Sequence, residues 1–295
     1  MGDALSPPAP VIPKPGIMLV RPSLKVRSDE NAAIFRRWTT MHFRDLLDCS
    51  SPTLSHKGII RALRYINADG NLFYTIHTDD IAIFKTQPYY EVSRRLDLEN
   101  TRALRSDEVS VLREGHPFGS KPMIFDVTNA EFGIFEESKG LATDYLEGGS
   151  YHNIPAVVLS SSESKLDTPK CVLLTLTCIS DGTMDEVPIE QVEHLQESAM
   201  DLLCELYGDA SRVFPSVYRH VQDAQPDMHP MISKGENGDG DWVVCLLIEG
   251  EEYEEARMKL QPRLESLVQE MKQTECEVAW DVVVGLWSGD LFLFK

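Results

Sequence analysis

The first half of the chain contains two kinds of hydrophobic spacing, one typical of strands and one typical of helices. Stretches rich in β-branched and aromatic residues predict strands, and apolar residues three or four apart predict helices between them. Ser28 or Asp29 can cap the first helix, and the polar residues 67–70 (NADG) indicate a hairpin turn. The predicted elements are, in order, a strand at 16–26, a helix from 29 to about 49, a hairpin over 57–78, a helix over roughly 80–97 and a strand at 123–135.

The second half repeats this order of elements after a stretch rich in Gly and Ser. Pro188 near the start and Gly208 at the end of its first helix match the usual preferences of helix termini. The predicted elements are a strand at 171–179, a helix at 187–208, strands at 211–222 and 241–250, a helix at 251–272 that kinks at Pro262, and a strand at 276–287.

Each half therefore has the order β-α-β-β-α-β, which is that of a ferredoxin-like unit. One such unit covers one face of its sheet with two helices and leaves the other face open, so two units in one chain can pack sheet to sheet. We predict an α+β fold in which two ferredoxin-like repeats form a fused dimeric α/β barrel. The predicted boundaries are a lead-in at 1–15, a first domain at 16–137, a linker at 138–168 and a second domain at 169–295.

Charge and composition narrow the range of partners. The chain has 295 residues, 42% of them hydrophobic, and a net charge of −19 that repels phosphate, which argues against nucleic acid and anionic membranes. No apolar run reaches the about 18 residues that a membrane helix needs. The six cysteines include no CxxC pair, which favours free thiols and a cytoplasmic location.

The first predicted helix raises the main chemical question. In this helix Phe35, Trp38, His42 and Leu46 step by three or four residues, so His42 is predicted to face the sheet. The matching helix of the second half has an apolar stripe, and its His194 falls outside that stripe. A buried imidazole fits two interpretations, a hydrogen-bonded core histidine or the proton-transfer group of a pocket.

Other polar side chains can reach the same region. Arg64 and Tyr65 are neighbours on the second strand, so at most one of them faces the helices, and on the third strand His77 and Tyr74 point to opposite faces. Each also has a purely structural interpretation as a core or strand-edge residue. Beside an imidazole, an arginine or a tyrosine hydroxyl can hold an enolate or carboxylate oxygen. The histidine spacings match no metal-binding motif and no nucleotide-binding motif is present, so no metal and no cofactor are predicted.

The stretch AAIFRRWTTMHFRDLLDC, followed by KGIIRALRYINADGNLFYTIHTDD, resembles the EthD-like branch of the dimeric α/β-barrel superfamily. The shared pattern is a helix with an aromatic residue and then a histidine, an Arg-Tyr strand, a hairpin, and a strand that ends in acidic residues. The resemblance covers roughly residues 16–97, and the second half is similar to the family in element order alone. The matching residues here are Trp38, His42, Arg64, Tyr65, Asp79 and Asp80.

The resemblance implies an enzyme of fungal secondary metabolism, a lyase or cyclase that uses no cofactor and acts on a hydrophobic or aromatic, polyketide-like substrate. The implied site residues are His42 and His77 as catalytic groups and Trp38, Arg64, Tyr65 and Tyr74 for substrate binding. Three alternatives remain: a haem protein with an axial histidine from the second half, such as His220 or His229, a non-catalytic binding or stress-response module, and an assembly role through an exposed strand edge. A homodimer is compatible with each of them.

Overall fold

The structure is a computed structural model of the chain. It describes residues 12–49, 58–66, 72–93, 124–138, 171–180, 187–208, 213–224, 242–249, 253–272 and 276–285. The predicted hairpin turn at 67–70 and the predicted linker at 138–168 lie outside this part of the chain, apart from Ser138.

The described part of the first half contains four strands and three α-helices. They are β1 (Gly16–Leu24), α1 (Asp29–Leu47), β2 (Ile59–Ile66), β3 (Leu72–Thr78), α2 (Gln87–Ser93), α3 (Ile124–Val127) and β4 (Thr128–Glu137), with a 3-10 turn at Ile81–Lys85 before α2. The second half contains β5 (Cys171–Ser180), α4 (Ile189–Tyr207), β6 (Val213–His220), β7 (Trp242–Glu249), α5 (Tyr253–Met271) and β8 (Cys276–Gly285), with a 3-10 turn at Gln222–Ala224.

The eight described strands form one closed antiparallel barrel in the order β1-β3-β2-β8-β5-β7-β6-β4. β1 pairs with β4 to complete the ring, and the two halves meet where β2 pairs with β8 and β4 pairs with β6. The ring therefore contains β4-β1-β3-β2 from the first half and β8-β5-β7-β6 from the second, the same order twice. The predicted α+β class is confirmed.

Two helix termini follow the sequence signals closely. The Asn31 backbone N–H donates to the Ser28 hydroxyl oxygen (3.2 Å), which makes Ser28 the N-cap of α1. Gly208 adopts the left-handed conformation (φ 70°) and its N–H donates to the Cys204 carbonyl oxygen, which ends α4. α5 continues as one helix through Pro262.

The helix predicted over 80–97 is divided in the structure. The Ala82 N–H donates to the Asp80 carboxylate (3.1 Å), which starts the 3-10 turn, and Thr86 is extended before α2 begins. Pro88 has no N–H to continue an upstream helix, but it is tolerated in the first turn of a new one. The prediction of one continuous helix was therefore wrong up to Ser93, and residues 94–97 lie outside the described part.

The strand predicted at 123–135 also begins later than expected. The short helix α3 comes first, and β4 starts at Thr128 because its partner β1 ends at Leu24, the residue paired with Thr128. The Lys25 N–H then donates to the Val127 carbonyl oxygen (2.9 Å). Hydrophobicity predicts burial of this segment, but the length of the partner strand decides where the β conformation begins.

Among the described residues, buried side chains form three separate layers. The α1 layer lies between α1 and the first-half strands and includes Phe35, Phe43, Leu46, Tyr74 and Ile76. The α4–α5 layer covers the second-half strands and includes Leu174, Leu195, Leu203, Val244 and Leu264. The barrel interior, enclosed by the ring, includes Leu19, Tyr65, Phe73, Phe214, Tyr218 and Leu247.

No helix in the described ranges combines the length and the apolar composition required to cross a membrane.

Candidate functional site

The buried stripe of α1 differs from the predicted one by one position. Phe35 and Leu46 are buried as expected, but Thr39 and Phe43 lie between them on the buried face, and Trp38 and His42 are half-buried. Phe43 gains more free energy from burial than an imidazole does. Thr39 can be buried because its hydroxyl donates to the Phe35 carbonyl oxygen (2.9 Å). His42 therefore lies at the rim of the α1 layer rather than at its centre.

His42 packs against an aromatic ring at this rim. Its imidazole stacks on Trp38 with ring centres 4.4 Å apart and planes at 15°. Trp38 in turn lies 6.3 Å from Phe35, and Phe35 lies 6.0 Å from Tyr74, which also meets Phe43 edge-on at 5.1 Å. A continuous line of rings thus runs from the half-buried histidine into the α1 layer.

Arg64 brings a permanent positive charge to the inner end of this line. It is 6% exposed, and its guanidinium carbon lies 5.9 Å from the ring centre of Phe43 and 6.0 Å from that of Tyr74. Of the neighbours Arg64 and Tyr65, Arg64 is the one that faces the helix, since it pairs with Tyr74 on the outer face of the sheet. Of the predicted site residues, Trp38 and His42 lie at the rim end of this line of rings, and Arg64 and Tyr74 lie at its inner end.

The phenol of Tyr74 is held in its neutral form. Burial raises the pKa of Tyr74 above its ordinary value near 10, while the Arg64 charge and a hydrogen bond with Thr39 oppose part of that rise. At neutral pH the hydroxyl therefore keeps its proton and can donate a hydrogen bond to a bound oxygen.

Tyr65 and His77 lie on the other face of the sheet, in the barrel interior. Tyr65 pairs with Phe73, and His77 shares the inner face with Thr75, whose hydroxyl oxygen is 3.1 Å from His77 Nε2. His77 is fully buried. Because the sheet separates it from α1, the structure does not bring His42 and His77 together as one acid–base pair.

The barrel interior also contains polar residues that the site prediction did not include. Thr175 and Thr177 on β5 and Ser216 and Tyr218 on β6 are at most 3% exposed and face inward. The signal was present in LTLT at 174–177, where leucine and threonine alternate, but such alternation normally indicates a solvent-facing side. We refer below to Thr75, His77, Thr175, Thr177, Ser216 and Tyr218 as the interior polar set.

Buried tyrosines predict a loss of stability at high pH. Burial raises the pKa values of Tyr74, Tyr89 and Tyr218 above about 10, so the folded protein retains protons that the unfolded chain releases. Their contribution to stability is complete below about pH 10 and is lost as pH rises toward the folded pKa values, by about 1 kcal/mol per pH unit for each tyrosine.

We expect the unfolding free energy from urea titrations to fall steeply above about pH 10. Tyr218→Phe removes one of these groups. The slope of the unfolding free energy against pH should then decrease by the contribution of one titrating proton. Equal slopes for the wild type and this variant would contradict the assignment.

The histidines considered for haem ligation do not meet in a suitable place. His220 is half-buried at the end of β6, with its ring edge-on to Phe135 at 5.2 Å, and His229 lies outside the described residues. In the α4–α5 layer the described buried side chains are apolar apart from Gln196, and the described part of the chain supplies no imidazole there. These residues do not fit an axial haem ligand in that layer. Within the described ranges, no group of three His, Cys, Asp or Glu side chains is arranged to hold a metal ion.

Each of the eight described strands has a neighbouring strand on both sides, with two residue pairs joining β2 to β8 and three joining β4 to β6.

Comparison with known proteins identifies no family for this chain. No family model matches the sequence, and no curated protein matches it. Among solved structures, a chlorite dismutase variant from Candidatus Nitrospira defluvii in complex with cyanide is similar at 8% identity and a TM-score of 0.43, covering 95% of this chain and 94% of that chain. A protein described as a candidate monooxygenase from Fusobacterium nucleatum has 8% identity and a TM-score of 0.40, with 94% of each chain covered. These similarities are too low to transfer an activity.

Proposed function

We propose that this protein is a cofactor-independent acid–base enzyme that acts on an aromatic, polyketide-like ketone bound in the α1 layer. The observation that carries the proposal is the buried guanidinium of Arg64 beside the rings of Phe43 and Tyr74. A guanidinium is planar and permanently charged. Together with the aromatic rings beside it, the Arg64 guanidinium suits a flat ligand that carries a negatively charged oxygen. Such an oxygen develops when a ketone loses a neighbouring proton.

The residues of the α1 layer divide the chemistry among them. His42 removes a proton from the carbon beside the carbonyl, and the electron pair moves onto the carbonyl oxygen. The Arg64 guanidinium and the neutral Tyr74 hydroxyl donate hydrogen bonds to that oxygen, while Trp38 stacks on the substrate ring. Tyr65 and His77, on the other face of the sheet, have no role in this step.

The enolate is common to the reactions of this class. It can expel hydroxide from the next carbon as water forms, or attack a second carbonyl to close a ring. In decarboxylation of a β-keto acid the same enolate arises as CO₂ leaves, and protonated His42 returns a proton to carbon. Because His42 is half-buried, it can exchange its proton with solvent between turnovers.

We also propose that the ring of strands consists of two fused ferredoxin-like repeats, at 16–137 and 169–295, with 138–168 as linker and 1–15 as a lead-in. The repeated strand order within the barrel supports this division. The EthD-like pattern lies in the first repeat, the one that holds Trp38, His42, Arg64 and Tyr74. Four described cysteines are reduced thiols, which supports a reducing, cytoplasmic location.

The proposal is tested with α-tetralone, an aromatic ketone whose α-protons exchange slowly with solvent. We expect the purified protein, after dialysis against EDTA, to accelerate deuterium incorporation at that carbon in D₂O, followed as loss of the α-proton NMR signal. If α-tetralone exchanges its protons only at the rate seen in buffer while the protein still binds the flat aromatic anion 2-naphthoate, the result would favour a non-catalytic binding module over an enzyme. Absence of both exchange and binding would remove the α1 layer as a site. A haem absorption band in the purified protein would contradict cofactor independence.

A further inference from the structure

The strands of the second half have two buried faces of different composition. On β5, the outward residues Val172, Leu174 and Leu176 are apolar, whereas the inward residues Thr175 and Thr177 carry hydroxyls, and each of the five is at most 3% exposed. Burial alone does not explain the difference, because burying a hydroxyl is less favourable than burying a methyl group. The inner face, which also packs Leu173, therefore offers buried hydroxyl groups that the outer face lacks.

Short side chains form a band across this inner face. Ser216, Cys245 and Thr175 lie next to one another in register on β6, β7 and β5. On the opposite side of the ring Gly133 is in register with Leu19, which is in register with Thr75. The interior of an eight-stranded barrel is just wide enough to be filled by large side chains or to hold one small ligand. Short polar residues at this level favour the second arrangement.

Aromatic rings border the band of short residues. Tyr65 and Tyr218 occupy equivalent inward positions on β2 and β6 and belong to the same buried cluster, with Phe73, Phe135 and Phe214 around them. Flat rings beside hydroxyl groups are the lining expected for an aromatic molecule that also carries oxygen.

Two fully buried titratable groups of the interior, Cys245 and Tyr218, are uncharged. Burial raises the pKa of the Cys245 thiol, and burial also raises that of Tyr218, with Cys245 and Glu137 nearby adding to the effect, so both groups stay protonated at neutral pH. Strand register places several charged residues on the inner face: Arg61 and Glu137, which are half-buried, Arg21, which pairs with Glu131, and Asp281, which pairs with Thr175. Glu137 accepts a hydrogen bond from the Ser216 hydroxyl (3.3 Å). With the acidic residues Glu137 and Asp281 on this face, a neutral hydroxyl that can donate a hydrogen bond suits these surroundings better than an anion.

We propose that the barrel interior is a second binding site, distinct from the α1 layer, for a small uncharged phenol held by the interior polar set. The phenol hydroxyl exchanges hydrogen bonds with Thr175 and Ser216, and its ring lies among the interior aromatic residues. The two sites then bind different oxygen groups of their ligands, an anionic oxygen in the α1 layer and a neutral hydroxyl inside the ring of strands. This inference does not depend on the catalytic proposal.

The test is calorimetric titration of the full chain with 2-naphthol at neutral pH, in the presence of saturating 2-naphthoate to occupy the α1 layer. We expect 2-naphthol to bind, and Thr175→Val and Ser216→Ala each to weaken its binding roughly fivefold to tenfold through loss of one hydrogen bond. Thr177→Val serves in place of either variant that does not fold. Arg64→Leu, which alters the other site, should leave 2-naphthol binding unchanged.

Wild-type protein that does not bind 2-naphthol would overturn the proposal, and so would interior variants that bind it as tightly as the wild type. Loss of 2-naphthol binding in Arg64→Leu would show that naphthol occupies the α1 layer instead, which also overturns it. If 2-naphthoate does not bind but 2-naphthol does, the failure concerns the α1 layer, and the 2-naphthol titration still tests the interior site.

Discussion

His42→Ala is expected to lower the protein-catalysed exchange of α-tetralone protons by about two to four orders of magnitude, the usual effect of removing a general acid or base. The variant should keep the wild-type fold, because His42 is half-buried at the rim and the residues that fill the α1 layer, Phe35, Phe43 and Leu46, are unchanged. Affinity for 2-naphthoate should change little, since Arg64 remains. The measurement is the NMR exchange rate at saturating ketone, beside a thermal unfolding curve.

His194→Ala is the matched control for this variant. His194 lies on α4, the helix of the second half that corresponds to α1, but it is exposed. Its replacement should leave the exchange rate unchanged. An unchanged rate in His42→Ala would remove His42 as the catalyst, and unfolding of that variant would favour the interpretation of His42 as a structural residue.

Arg64→Leu is expected to weaken 2-naphthoate binding by about tenfold to a hundredfold, because a hydrogen bond to a charged group contributes roughly 1.5–3 kcal/mol. Leucine suits the apolar surroundings of Phe43 and Tyr74, so the fold should persist. Arg64→Lys keeps the charge and loses the planar fork, so an intermediate affinity is expected. Isothermal titration of the three proteins gives the dissociation constants.

Arg219→Leu is the control for Arg64. Arg219 also lies over an aromatic ring, 5.9 Å from that of Trp242, but it is exposed and belongs to the second half. Equal losses of affinity in Arg64→Leu and Arg219→Leu would indicate a general effect of lost positive charge, and the α1 layer would then lose its assigned anion site.

The elements that could be predicted from the sequence are those whose hydrophobic periodicity allows only one buried face. The sequence of helix α4 predicts an apolar stripe through Val192, Leu195 and Ala199, which are buried, and a glycine that ends the helix, so its C-terminus was predictable. Beyond Ala199 the buried residue is Leu203, whereas the predicted Leu202 and Leu206 are half-buried. Helix α1 instead offers two neighbouring stripes, one through Trp38 and His42 and one through Thr39 and Phe43. Packing against the sheet selects the second stripe, and local spacing cannot supply that information.

The division of the candidate residues between two sites could not be predicted from local pattern. The alternation on β2 and β3 correctly separates Arg64 from Tyr65 and Tyr74 from His77. Whether the second face of each strand meets water or other strands depends on the pairings of β2 with β8 and of β4 with β6, which join residues far apart in the chain. Those long-range pairings close the ring and place His77 in its interior, away from His42.

A crystal structure of the protein with bound 2-naphthoate tests most directly whether the space beneath α1 receives aromatic anions. The expected result is the carboxylate within about 3 Å of the Arg64 guanidinium, the distance of a charge-assisted hydrogen bond, with the naphthalene ring along the line of Trp38, Phe35 and Tyr74. A ligand seated elsewhere on the protein, with the Arg64 side chain and the rings of Phe43 and Tyr74 packed as they are in its absence, would contradict the account.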